Sequence, residues 1–296
     1  MDWSSIFNFD NYGELLALLQ NSIIAGAVLG LVGGLVGVFV MSRDMAFAVH
    51  GISELSFAGA AAGLLFGVGV VEGSIAGAIV AALIIGVLGA RARDRNSIIA
   101  VLMPFGLGLG ILCLSLYPGR TANKFGLLTG QIVAVDDPRL NSLIAISAVV
   151  VLGLLVAWRP LTFASVDADV AAARGVPVRG LSIYFMLLLG LAVAVSVQVV
   201  GSLLVLSILV TPAAAALRVS SSPVLVPVLS TIFAVTSLVG GILLALGASI
   251  PISPYVTTIS FLIYVVCRVI AWRRGAGTGR IQDARLPLPV REAEQS

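Results

Sequence analysis

His50 is the only histidine in the chain, and Glu54 follows it four residues later in the same apolar stretch. Four residues is slightly more than one helical turn, so both side chains project from one helix face. A neutral imidazole and a carboxylate are good ligands for first-row divalent metal ions. The competing reading is a self-contained pair in which the imidazole N–H donates to the carboxylate. Either arrangement is expensive at membrane depth, where ionisable side chains mark transport paths or sites by default. Glu54 is also the one carboxylate inside a hydrophobic run: Glu14, Asp44 and Glu72 sit at run ends, and the other acids lie in loops or tails. Two ligands fall short of the four that zinc typically takes. A two-fold dimer joining two such faces would supply two histidines and two glutamates.

The elements that carry this pair follow from composition. Hydrophobic residues make up 59% of the 296-residue chain and charged residues 10%, with a mean hydropathy of +1.12. Soluble domains carry roughly 25% charged residues, so the chain reads as a polytopic membrane protein. Long unbroken runs with 32 glycines point to an all-α helical bundle, not to the weak alternation of a barrel. Breakers and runs place spans near 15–41, 46–69, 73–90, 97–117, 140–158, 180–199, 200–217, 224–247 and 255–272. The segment 1–14, with Trp3, Phe7, Phe9 and Tyr12, lacks the basic region of a signal peptide and reads as interfacial. From 15 to 272 the chain is one transmembrane domain, and 273–296, polar from Gly275 onward, reads as a disordered cytoplasmic tail.

Nine crossings put the N-terminus outside and the C-terminus in the cytoplasm of a plasma-membrane protein. The loops and span ends then on the cytoplasmic side hold Arg43, Arg91, Arg93, Arg95, Arg159, Arg174, Arg179, Arg218, Arg268, Arg273 and Arg274. Those outside hold only Arg120, Lys124 and Arg139, which satisfies the positive-inside rule. Gln198, Gly201, Ser202 and Ser207 interrupt the run 180–217, which is either two spans or a re-entrant pair, so the count is eight or nine. With this topology His50 and Glu54 lie roughly 9 and 15 Å from the cytoplasmic start of span 2.

Other signals are weaker or negative. Gly26, Gly30, Gly33, Gly34 and Gly37 allow a close neighbour helix, and Pro104 and Pro212 kink the helices they occupy. Cys113 and Cys267 lie in apolar runs and form no disulfide framework. The only lysine is Lys124, so the chain carries no G-x-x-x-x-G-K-[ST] phosphate loop; any ATP is bound and hydrolysed on another polypeptide. No triad or metal-spaced cluster suggests catalysis, and the net charge of +3 comes from arginines flanking spans, not from a nucleic-acid surface. The segment 160–179 fits a short helix that Ser165 or Asp167 would N-cap, running through Val170 to Arg174 and closed by Gly175 at C′. It is either a plain connector or a docking helix with Asp167, Asp169 and Arg174 as handles.

Three segments, in order, resemble the metal-type family of ABC importer permeases, which serve zinc, manganese and ferrous iron. M-S-R-D-M-A-F-A-V-H-G-I-S-E-L-S-F-A-G-A-A (41–61) resembles the family's R-R-M-A-x-x-x-D-x-x-x-H-x-x-x-x-G stretch. K-F-G-L-L-T-G-Q-I (124–132) is similar to its F-G-S-I-L loop, and V-Q-V-V-G-S-L-L-V-L-S-I-L-V-T-P-A-A-A-A (197–216) to its V-G-x-L-L-V-x-A-L-L-I-x-P-A-A-x-A segment. A-A-A-R-G (171–175) resembles the EAA-G coupling loop of ABC permeases. The resemblance implies a homodimeric pore in the lipid membrane, a cytoplasmic ABC ATPase dimer and an extracytoplasmic metal-binding protein. It implies that Asp167, Asp169, Ala171, Ala172, Arg174 and Gly175 meet the ATPase, and that span 2 carries an ion checkpoint. The family's aspartate falls on His50 and its histidine on Glu54, so the two ligand types are exchanged. The expected cargo is Zn²⁺, Mn²⁺ or Fe²⁺, with no permanently bound cofactor. A permease for a chelated metal or cofactor, a proton-coupled secondary transporter and a membrane scaffold are the alternatives.

Overall fold

The structure is a computed structural model that describes residues 19–89, 92–118, 135–246 and 252–282. The interfacial segment 1–14, the loop 124–132 and residues 283–296 of the expected tail lie outside them. Twelve helices account for the described chain: α1 (Gln20–Ser42), α2 (Ala46–Phe66), α3 (Val70–Leu88), α4 (Ala92–Leu116), α5 (Asp137–Val156), α6 (Trp158–Val166), α7 (Ala168–Ala173), α8 (Val178–Val200), α9 (Ser202–Leu209), α10 (Thr211–Val219), α11 (Leu225–Leu246) and α12 (Ile252–Gln282). Among the described residues eight helices are long and apolar enough to cross a bilayer.

Three of those helices form the interior. The spans in α1, α2 and α8 are 61%, 67% and 72% buried, against 17% to 33% for those in α3, α4, α5, α11 and α12. The outer helices turn side chains such as Val101, Phe105, Leu152 and Phe261 outward, where lipid replaces a protein neighbour.

Glycine sets the closest approaches. On α1, Gly26, Gly30 and Gly34 face α11: a Cβ on Gly30 would stand 2.7 Å from the Val235 Cα. Gly33 and Gly37 face Ile208, Leu209 and Ala213 on α9 and α10. A second glycine seam, which the sequence reading did not single out, joins α2 to α3. Gly59, Gly63, Gly73 and Gly77 lie backbone to backbone there, and any Cβ would collide with the opposite carbonyls. Gly67, at φ +72°, ends α2 in the left-handed conformation that glycine tolerates.

The same contacts fix the direction of each helix. As the residue numbers on α1 rise from Gly26 to Gly34, those of its partners on α11 fall from Ile242 to Thr231, so the two are antiparallel. Gly33 meets Ile208 and Gly37 meets Ala213, so α9 and α10 run parallel to α1. The segment 200–217 is therefore not one unbroken span: two short helices in series carry the chain back across the bundle. The break has local causes. Gly201 sits at φ +82°, and Pro212 occupies the first turn of α10, where its missing N–H is harmless. Pro212 thus opens a helix instead of kinking one, whereas Pro104 does lie inside α4. Pro160 sits in the first turn of α6, a helix absent from the sequence expectations. The last helix, α12, runs through Gln282, so 273–282, assigned to the disordered tail by composition, continue a helix.

All described passages alternate, and the arginines gather at one end. Arg95 Nη2 donates to the carbonyls of Arg43 (3.5 Å) and Asp44 (3.2 Å), and Arg43 Nη2 donates to Ser182 Oγ (3.2 Å) near the start of α8. The Tyr264 hydroxyl meets Arg268 (3.1 Å) and Arg218. The opposite end is acidic and amide-rich: Asn21 donates to Asp137 (2.8 Å), and Arg139 pairs with Asp136 (3.4 Å).

Candidate functional site

The α2 helix places His50, Glu54, Phe57 and Ala61 within about 60° of one another around its axis. This stripe divides into two parts. Phe57 and Ala61 are fully buried in a small apolar cluster with Cys113 and Leu114, contributed by the end of α4. Glycine at 110 lets the Phe57 ring lie directly against the α4 backbone. Closer to the arginine-rich end, the stripe opens: the His50 side chain is 30% exposed and Phe47, one turn earlier, is exposed. A pocket of about 410 Å³ beside Phe47 is lined by Asn96, Ile99, Ala100, Met103 and Pro104.

Glu54 is buried, and its backbone is pinned by Gly106 of α4 at a separation that leaves no room for a Cβ. His50 Nδ1 stands 3.9 Å from Glu54 Oε1, which is too long for a hydrogen bond. Both His50 Nδ1 and Glu54 Oε2 are shut off from solvent and have no hydrogen-bond partner. The two groups stand at ion-pair distance but without the hydrogen bond that a self-contained pair would make. Buried polar atoms normally find partners, so two orphans on one face mark a place that a cation or proton would stabilise. Among the described residues no group of three or more His, Cys, Asp or Glu gathers at metal distance. Among the described residues His50 and Glu54 are the two candidate ligands on this face.

Hydroxyl groups that the sequence reading passed over tie this stretch of α2 to its neighbours. Ser53 Oγ donates to the Ser202 carbonyl (3.0 Å) at the start of α9. Ser56 and Ser74 exchange a 2.8 Å hydrogen bond, and Ser74 Oγ reaches the Ala194 carbonyl of α8 (3.3 Å). Gln198 Nε2 and Ser202 Oγ, on either side of the Gly201 break, are buried without partners. The only signal in the sequence was the presence of these polar residues inside apolar runs.

The second candidate region lies at the arginine-rich end. Asp167 caps α7, accepting from the backbone N–H groups of Asp169 (3.0 Å) and Val170 (2.9 Å). Ser165, the other candidate cap, instead bonds back to the Leu161 carbonyl. The helix closes as a Schellman motif: Val176 N–H donates to Ala171 and Gly175 N–H to Ala172, both at 3.0 Å, with Gly175 at φ +84°. Asp167, Asp169, Ala172, Arg174 and Gly175 are exposed, together with the apolar Val166 and Val170, while Ala171 packs inward. The result is a short capped helix with a mixed charged and apolar exposed surface. The structure keeps this region and the His50–Glu54 face apart, on separate elements.

Comparison with known proteins gives the architecture a lineage. The chain is 29% identical over 225 residues to the manganese transport system membrane protein MntC of Halalkalibacterium halodurans, covering 76% of this chain and 77% of that protein. It is 30% identical over 224 residues to the MntC of Listeria innocua, covering 75% and 80%. Among solved structures, PsaBC from Streptococcus pneumoniae in complex with Fab superposes with a TM-score of 0.79 at 26% identity, covering 88% of this chain and 95% of the matched one. The sequence model of the ABC 3 transport family matches residues 16–271, the whole of the helical bundle apart from its ends. This multi-pass membrane chain belongs to the ABC 3 transport family, as a transport subunit and not an ATPase.

Proposed function

We propose that the chain forms half of a homodimeric pore in an ATP-driven importer of a divalent transition metal ion. The observation that carries this reading is the pair of buried atoms without a hydrogen bond, His50 Nδ1 and Glu54 Oε2, on one face of α2. Two such faces meeting on a two-fold axis would offer two imidazoles and two carboxylates. That set suits Mn²⁺, Zn²⁺ or Fe²⁺, and the names of the MntC relatives favour Mn²⁺. Few ligands per chain fit a conduit that must release its ion as readily as it takes it.

The positive-inside rule assigns the arginine-rich end to the cytoplasm. This puts the N-terminus outside, the C-terminus inside and α7 where a separate ATPase dimer would dock. Asp167, Asp169, Ala172, Arg174 and Gly175 are the contact residues, with Ala171 packing the helix onto the bundle. A metal-binding protein would deliver the ion at the opposite end. Tilting of the helices by the ATPase would part and rejoin the two α2 faces, exposing the ion to each side in turn.

The test is reconstitution of the chain with the separate ABC ATPase proposed to dock on it, in proteoliposomes. ATP-dependent uptake of Mn²⁺, in competition with Zn²⁺ and Fe²⁺, is the expected result. Uptake that ignores ATP and follows a proton gradient would replace this reading with a secondary transporter.

A further inference from the structure

The geometry points to Arg43 as a positioning residue that ties the coupling segment around α7 to the His50–Glu54 face. The inference rests on the proposed function, because it assigns a route by which the ATPase-facing helix moves the ion site.

Only three residues, 43 to 45, separate α1 from α2, and His50 lies about 6 Å along α2 from its first residue. This turn is tightly held. Asp44 has φ +53°, the only positive value at a non-glycine residue among those described, and the Met45 N–H donates to the Val40 carbonyl (2.8 Å). A three-residue turn under that constraint cannot absorb motion, so what moves the turn moves the start of α2.

One end of the coupling segment is fastened to this turn and the other to the last turn of α1, just before it. At the far end, Arg43 Nη2 donates to Ser182 Oγ, and its guanidinium lies 5.7 Å from the centroid of the fully buried Phe185 ring. Ser182 and Phe185 belong to the first two turns of α8, just after α7. At the near end, Trp158, which opens α6, packs edge-on against Phe39 at 4.9 Å. Phe39 in turn sits 6.0 Å from Phe185. Phe39, Arg43, Trp158 and Phe185 thus form one knot, with the segment 158–177 looping out from it and returning. Arg95, from α4, clamps the turn's carbonyls from the other side.

The arginine is suited to this post. Its planar fork serves the ring face and the hydroxyl at once, which a lysine ammonium cannot match. Burial, and then the nearby Arg95 charge, draw the Arg43 guanidinium below its ordinary value, yet an arginine stays charged throughout the physiological range. Its Nη1 is buried without a partner, so the residue is held in place at a cost that plain packing would avoid.

Two measurements test the link. The first uses the full chain alone, purified without a polyhistidine tag so that His50 is its one imidazole, and follows carbethoxylation by diethyl pyrocarbonate. Arg43→Gln is expected to change the His50 rate about tenfold, Ser182→Ala about threefold, and Arg43→Lys to recover part of the difference. An unchanged rate in Arg43→Gln overturns the link. The second uses the complex with its ATPase and compares uptake with hydrolysis. Arg43→Gln should lower metal moved per ATP about tenfold while hydrolysis stays within about twofold. A parallel fall of both, as from simple damage to the fold, contradicts the assignment. If the unsubstituted complex moves no metal with ATP, the proposed function fails instead, and the His50 rate still decides the link.

Discussion

The two candidate regions are built on opposite principles. The His50–Glu54 face is polar chemistry enclosed by an apolar bundle, with orphaned atoms held among close-packed helices. The α7 region is a small helix fully satisfied by its own cap and Schellman bonds, exposed on almost every side. One region is unsatisfied and rigid; the other is satisfied and free. A transport site needs the first property, since an ion must gain something by entering. A docking element needs the second, since it must hold its shape before its partner arrives. The difference predicts that substitutions near α2 act through packing and substitutions at α7 act through association.

The largest effect is expected in the glycine seam that supports α2. Gly59→Val sets side-chain atoms against the Gly73 carbonyl and the Gly77 Cα, an overpacking of about 3 kcal/mol or more. Expression and size-exclusion profiles should show loss of folded protein. A well-folded Gly59→Val chain would mean that α2 is not held as closely as described.

At α7 the corresponding substitutions should leave the fold intact. Gly175→Val meets no atom, but its φ of +84° is strained for a β-branched residue by about 1–3 kcal/mol. Thermal unfolding should shift little, while ATPase association weakens about tenfold. Arg174→Glu reverses an exposed charge on the same surface and should weaken association without altering stability. Unchanged complex formation in both variants would remove α7 from the interface.

Smaller still is Asp167→Ala, which deletes two capping hydrogen bonds at about 1 kcal/mol, with Asp167→Asn recovering most of it. Hydrogen exchange at Asp169 and Val170 would report it. The smallest effect belongs to Arg139→Ala, at the other end of the bundle, where an exposed pair contributes about 0.5 kcal/mol or less. Neither uptake nor association should respond.

The sequence made the apolar spans legible because each is a long run ended by glycine, proline or charge. It also made the two chemical regions legible, for contrasting reasons. His50 and Glu54 stood out because charge is rare in such a run, and the α7 cap and C′ glycine because capping uses few residue types. What stayed hidden depends on neighbours that a linear reading cannot see. The Gly59–Gly73 seam and the Ser56–Ser74–Ala194 bonds exist only once α2, α3 and α8 are side by side. Likewise, the run 200–217 is apolar enough for a span, but Gly201 sets α9 off from α8, and the chain breaks again at Val210, just before Pro212 opens α10. The helix α6 stayed hidden because Pro160's place in a helix's first turn depends on where the preceding helix stops.

The central claim is that the unpartnered His50–Glu54 face handles the ion. Its most direct test is ATP-dependent Mn²⁺ uptake by reconstituted complexes carrying Glu54→Gln or His50→Ala, with ATP hydrolysis and complex assembly measured alongside. Glu54→Gln keeps the size of the side chain but removes its charge, and uptake should fall about a hundredfold while the complex assembles normally. His50→Ala should lower uptake and change the preference among Mn²⁺, Zn²⁺ and Fe²⁺. Uptake and metal preference equal to the unsubstituted chain in both variants would contradict the account.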